Sequence, residues 1–397
     1  MKSIKKWFKK DKAILKFTLL VFIVWQFFVG LVIFFGAKYF PTTNQYLYAE
    51  RVSVINPPWL WSRGNFDGMH YLDIARKGYG IYQQAFFPLY PRLVGFMSHL
   101  FLGKTLLGGW VLNLVCFYLA LFFFYKLLKI DFSEKTSRRT LIYLLLFPTA
   151  FFFSMIYTEA LFFLLIVGSF YFARNKVLSQ TGSYFARNKR WWLAGILGAL
   201  ASATRLVGIF LLPALLFEWW QQKKSQKWDI SLLPIFLIPV GLLAYMLFLK
   251  QHYGDSLMFM HVQAFFGAGR TAGRLILLYQ VFWRYFKMLV TVDKQTLTYF
   301  VVVLEFLTAL SFLTLIIFTY LKRWYPYLIF MTLAFIAPTL TGTFSSLPRY
   351  VLVLFPGFIL LSLWAEKYKW VRILYPLLAI PLFIFCLILF IRGYWVA

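Results

Sequence analysis

Apolar stretches about 20 residues long recur from one end of this 397-residue chain to the other, and about 20 residues of helix are what the hydrocarbon layer of a bilayer demands. In lipid every backbone N–H and C=O must be satisfied within the chain, which helices do. The hydropathy predicts spans at 14–37, 105–128, 230–250, 297–321, 325–341, 349–365 and 372–393. Two longer stretches, 141–173 and 192–220, are interrupted by polar residues at their middles, Ser154 to Glu159 and Ser202 to Arg205. These read as hairpins of short helices. The expected fold is all-α, a polytopic integral membrane protein with about 11 transmembrane helices in a single domain over 1–397. With 61% hydrophobic and only 14% charged residues, a soluble domain is excluded.

The net charge of +28 would suggest nucleic acid on a soluble protein. Here 25 of the 41 basic residues fall in six short segments, 1–16, 126–139, 174–190, 221–229, 322–323 and 366–372. All six lie on one side if the hairpins are real, and the positive-inside rule makes that side cytoplasmic, so the charge implies no nucleic acid. The segment 14–37 is long enough to remain as an uncleaved anchor. The hexapeptide YFARNK at 171–176 and 184–189 only lengthens a basic loop. Cys116 and Cys386 both fall inside predicted spans and read as small apolar core residues.

The opposite side carries two long connections, 38–104 and 251–296, with Glu50, Asp67, Asp73, Asp255 and Asp293. Tyr82 to Phe101 contains Pro88, Pro91 and Arg92, and counting it as a span would reverse the sidedness of every later basic loop; it is expected along the outer surface, or dipping in and returning. From Leu275 to Val292, just after Arg274, the cations Arg284 and Lys287 interleave with Phe282, Trp283, Tyr285 and Phe286. That is the composition of an interfacial helix.

Asn65 or Asp67 can cap a helix running through Arg76, with Gly78 as its stop. On it Asp67, His70, Tyr71 and Ile74 share one face, whereas Asp73 can pair with Lys77. The spacing leaves Asp67 open as helix cap or catalytic carboxylate. Four charges lie where a bilayer makes charge costly: Glu159, Arg205, Arg349 and Glu305, the last inside its span with no obvious partner. The first three are expected to converge on the outer face beside Asp67, either as a structural Glu159–Arg205 pair with Arg349 snorkelling to the interface or as a functional group. His252, Asp255 and His261 could help hold a divalent cation against a phosphate, though the histidines and cysteines show no zinc-type spacing.

The blocks FDGMHYLDIARKGY and FFPLYPRL, then FPTAFFFSMIYTEALFF, LASATRLVGIFLLP and LPRYVLVLFP, occur in that order. Together they resemble the PIG-V type of mannosyltransferase, a branch of the integral-membrane GT-C glycosyltransferases. The resemblance implies a GT-C-like fold and a polyprenyl- or dolichyl-phosphate-linked sugar donor, with mannose as the sugar. It also implies a glycan or glycolipid acceptor, inversion, and an active site facing away from the cytoplasm, with Asp67 as the base. The short loops and many lysines lean towards a bacterial cell membrane; in a eukaryote the location would be the endoplasmic reticulum. In this reading Arg205 and Arg349 stabilise the departing phosphate, His70 orients a reacting group, Tyr71 and Trp61 stack on a sugar ring, and Glu159 belongs to the substrate site. A lipid or glycolipid transporter or flippase without covalent chemistry is the alternative, and an inverted repeat that would favour it is not seen in the hydropathy.

Overall fold

A computed structural model describes residues 2–43, 56–175, 184–222, 230–267, 269–271 and 274–396. Glu50, the 223–229 loop and the junction between the two YFARNK copies lie outside them. Among the described residues the chain is helical and forms no strand. The long helix α1 (Lys2–Tyr39) leads to α2 (Asp67–Lys77) and α3 (Leu89–His99) in the connection 38–104, then to α4 (Thr105–Asp131). Next come α5 (Glu134–Leu146), α6 (Glu159–Arg174), α7 (Tyr184–Ser202) and α8 (Leu211–Gln222). The remainder is α9 (Ile238–Tyr253), α10 (Leu278–Thr291), α11 (Leu297–Leu321), α12 (Tyr325–Thr339), α13 (Pro356–Lys367) and α14 (Lys369–Ile391).

Among the described residues five helical segments are long and apolar enough to cross a bilayer: Asp11–Tyr39, Thr105–Asp131, Leu232–Tyr253, Leu297–Leu321 and Lys369–Ile391. The span expected at 349–365 is instead broken, with Leu347–Val353 and Pro356–Lys367 meeting at 80°. Pro356 stands at the break as the first residue of α13, since it cannot donate the hydrogen bond that continuation needs. The other expected crossings fall on shorter arms such as α5, 13 residues long, or about 20 Å. By length these do not bridge an apolar layer of about 30 Å alone. Such breaks persist only where neighbouring helices bury the freed backbone.

Both hairpins break where the polar residues predicted. Contacts sort the helix ends into two groups. At one end Lys126 Nζ meets Asp11 at 2.6 Å, Arg174 meets Asp131 at 2.6 Å and Glu218 at 3.4 Å, and Thr136 donates to Glu366 at 2.8 Å. At the other, Asn113 Nδ2 donates to the Tyr157 carbonyl at 3.2 Å, Arg205 meets Glu159 at 3.0 Å, and the Tyr245 hydroxyl donates to the Gln84 carbonyl at 2.7 Å. Thus α4 and α6 run side by side in one direction, and α5 must carry the chain back between them. By the same contacts α7 returns along α6, and α8 brings the chain back beside Arg174. The connections 38–104 and 251–296 share the end of the molecule that holds Glu159 and Arg205.

Close helix approach is built on glycine. A Cβ on Gly195 would collide with the Pro234 carbonyl oxygen, and one on Gly241 would collide with that of Ala199. Small residues of this kind let membrane helices pack backbone to backbone. The helix α3 is 11 residues long, too short to span, and its first amide donates to the Ala203 carbonyl at 3.2 Å. It rests against the tip of the second hairpin instead of crossing. On α10, Trp283, Phe286 and Val290 are exposed while Val281 and Tyr285 are buried, the two-sided pattern of an interfacial helix.

Candidate active site

The helix α2 follows an unusual backbone turn. Phe66 has φ 54° and ψ −119°, a conformation that L side chains rarely adopt, and Asp67 is the first helical residue after it. Neither Asn65 nor Asp67 caps this helix, because its N-cap is Phe66 with no side-chain cap bond. Asn65 Nδ2 instead donates to the Phe390 carbonyl at 2.8 Å, and the Asn65 carbonyl accepts from the Tyr157 hydroxyl at 2.8 Å. The loop is thereby tied to α14 and to the first hairpin. Asp67 Oδ2 accepts from Arg349 Nη1 at 2.7 Å.

A second residue with positive φ, Ser346 (φ 66°), precedes the short helix Leu347–Tyr350 that carries Arg349. Unusual backbone therefore stands just ahead of both members of the pair, a feature that concentrates at functional sites. Arg349 Nε is also 3.5 Å from Glu159 Oε1, which accepts from Arg205 Nη1 at 3.0 Å. The three charges predicted at membrane depth thus converge on Asp67 in one chain of ion pairs. The Tyr350 ring lies beneath two of the cations, 4.8 Å from Arg205 and 5.2 Å from Arg349.

Burial pushes the Asp67 carboxyl up, but the Arg349 guanidinium and its hydrogen bond outweigh that and hold it below the usual carboxylate range. Asp67 is ionised at neutral pH. Burial pulls His70 below the ordinary imidazole range despite the nearby Asp67 and Asp73, so its ring is neutral there. His70 stacks on Phe86 at 4.9 Å and meets Gln83 Nε2 at 3.3 Å.

Asp67, His70, Tyr71, Glu159, Arg205 and Arg349 all line one cavity of about 1070 Å³. Around Tyr71 the rings of Phe86, Tyr90 and Tyr157 lie at 5.0, 4.9 and 6.3 Å. Trp61 does not line the cavity. That side chain is packed into the hydrophobic core, so the expectation that it stacks on a sugar is corrected. Asp73 is likewise absent from the lining, and among the described residues it forms no ion pair with Lys77. The Asp255–His261 contact of 2.6 Å lies on an exposed part of the 251–296 connection. Among the described residues no three His, Cys, Asp or Glu side chains gather as a metal set.

Arg270, Tyr350 and Trp395 line the cavity without having stood out in the sequence, and Arg274 and Arg284 were expected only on or beside an interfacial segment. Arg270 Nη2 donates to Ser346 Oγ at 3.4 Å, and Arg284 Nη1 donates to the Gly342 carbonyl at 3.0 Å. Among the described residues neither they nor Arg274 form an ion pair. Since Arg205 and Arg349 already face Glu159 and Asp67, these further arginines give the cavity a surplus of positive charge. The GAGRTAGR run at 267–274 was the available signal: two arginines set among glycines on the second long connection.

No protein-family model and no curated protein matches the chain. Among solved structures it is similar to the oligosaccharyltransferase of Archaeoglobus fulgidus. Against the apo form the TM-score is 0.49 at 15% identity, covering 98% of this chain and 57% of that one. Against the complex with zinc and sulfate it is 0.45 at 14%, covering 85% and 49%. Against the complex with an inhibitory peptide and a dolichol-phosphate it is 0.42 at 13%, covering 98% and 56%. The chain spans about half the length of the solved structures that it matches.

Proposed function

We propose that this chain is a membrane glycosyltransferase of the GT-C type. It moves a sugar, mannose in the PIG-V-like reading, from a polyprenyl-phosphate donor to a hydroxyl of a glycan or glycolipid at the extracytoplasmic face. The observation that carries the proposal is a carboxylate fixed by an arginine inside a large cavity that also holds arginines without a carboxylate partner among the described residues. Asp67 takes the proton as the acceptor oxygen bonds to the sugar's anomeric carbon, while the bond from that carbon to the phosphate oxygen breaks on the opposite face, inverting the centre. The polyprenyl phosphate leaves with one more negative charge, and a fixed cation binds that state more tightly than the ground state.

The geometry also divides the arginines. Arg349 is engaged by Asp67 and Glu159, so it orients the base. Arg270 and Arg274, with no carboxylate partner among the described residues, are assigned to the phosphate. In the purified chain, Arg270→Gln and Arg274→Gln should each raise KM for decaprenyl-phosphate mannose about tenfold or more, the loss expected for a charge-assisted hydrogen bond. Lysine should recover part of it, because it keeps the charge but not the planar fork. An unchanged donor KM in both glutamine variants contradicts the donor assignment.

A further inference from the structure

A carboxylate inside a membrane span is costly and marks a site unless it is paired. Glu305 lies about 12 Å along α11 from its amino end and is 4% exposed. It has no ion-pair partner among the described residues. Its Oε2 accepts from the Tyr285 hydroxyl of α10 at 2.5 Å, and that hydroxyl also meets Thr343 Oγ1 and the Phe344 amide, each at 3.1 Å. Glu305, Tyr285 and Thr343 line the same cavity as Asp67, on a wall that also presents Thr298, Thr341 and Ser345. Arg270 and Arg284 border that wall, at Ser346 Oγ and the Gly342 carbonyl. Besides them it offers hydroxyls, one carboxylate and apolar side chains such as Val301 and Val302.

A lone carboxylate in such a wall could answer a cation or a group rich in hydroxyls. The nearby charge decides. Arg270, held at Ser346 Oγ, lines the same cavity as Asp67 and Glu305, and the cavity as a whole has a surplus of arginine. A cationic ligand would enter against that surplus. A polyol would not, and a carboxylate can accept from two neighbouring hydroxyls while threonine and serine hydroxyls donate or accept as needed.

We infer that Glu305, held in place by Tyr285, forms a polyol subsite of this cavity that binds the hydroxyls of a sugar ring. The inference rests on the proposed glycosyl transfer only for the choice of probes. The ring can belong to the donor or to the acceptor, and the two are separable. Tyr285 acts as a positioning residue, because its phenol fixes the carboxylate and ties α10 to the loop before Arg349.

The test measures binding to the full chain in nanodiscs with three probes: decaprenyl phosphate, decaprenyl-phosphate mannose and a methyl mannobioside. Glu305→Gln keeps the side chain's size but loses the second accepting oxygen and the charge. It should weaken a sugar-bearing probe about tenfold, the value of a hydrogen bond to a charged group, and leave bare decaprenyl phosphate unchanged. Loss confined to the lipid-linked sugar assigns the subsite to the donor, and loss confined to the mannobioside assigns it to the acceptor. Tyr285→Phe keeps the ring that packs on Phe344 at 4.7 Å and should shift the same probe in the same direction by less. Equal weakening of all three probes would make Glu305 structural and overturn the inference, as would no change in any, or no binding of either sugar probe by the unaltered chain. Binding of the mannobioside without decaprenyl phosphate would instead remove the lipid-phosphate donor while the subsite stands.

Discussion

At the scale of single residues, the chemistry turns on one carboxylate and the cation that governs it. Burial alone would favour the neutral form of Asp67, and Arg349 reverses that balance. In Arg349→Gln the burial remains and the cation is gone, so the carboxyl titrates at higher pH and the base is lost earlier as the solution is acidified. The acid limb of the transfer rate should therefore move to higher pH, and should stay near its original position in Arg349→Lys. A pH–rate profile per folded molecule reads this directly, and an unmoved limb in the glutamine variant would free Asp67 from Arg349. Glu159, Arg205 and Arg349 were legible in the sequence because a charge in an apolar stretch stands out against its surroundings, whereas Asp67 was singled out by its helix face and by the family resemblance. Arg270 was not, since a loop arginine carries no such contrast before the fold brings it to Ser346. Trp61 misled for the opposite reason: in a chain that is 22% aromatic, an aromatic side chain near the site does not say which way it faces.

At the scale of elements, the two hairpins and the two-sided helix α10 were readable from polar breaks and from the mix of aromatic and basic residues. The bend at Pro356 was not. Hydropathy averages over a window, and the 80° turn falls at one proline whose neighbours are all apolar. Helix packing is equally local. Gly241 sits against the backbone of α7, where an added methyl would run into the Ala199 carbonyl oxygen, whereas Gly30 has nothing within 4 Å of that position. Gly241→Leu should destabilise the fold by about 1–3 kcal/mol or more, as overpacked sites do, and Gly30→Leu should be tolerated. Melting temperatures of the two variants in one detergent compare them, and equal values would mean that α7 and α9 do not pack as described.

At the scale of the whole molecule, the ends of the helices fall into two groups, and the cavity opens within the group that holds Glu159 and Arg205. The sorting of segments into these two groups could be read from charge because the basic segments alternate with the connections that carry Asp67 and Asp255. Which segments meet inside the cavity could not, since Asn65 and Phe390 or Asp67 and Arg349 come together across most of the chain. The sidedness has its own check. A cysteine replacing Lys135 should be protected from an impermeant thiol reagent in intact cells, while one replacing His252 should be labelled; the reverse pattern would place the cavity on the cytoplasmic side. The account as a whole stands on Asp67 acting as a base in that cavity, and the rate of transfer from decaprenyl-phosphate mannose per folded molecule in Asp67→Asn, set beside Asp73→Asn, tests it most directly. The amide keeps the size of the side chain but cannot take the proton, so Asp67→Asn should lose transfer by about a hundredfold or more while Asp73→Asn stays within a few-fold of the unaltered chain; equal rates in the two variants would contradict the assignment.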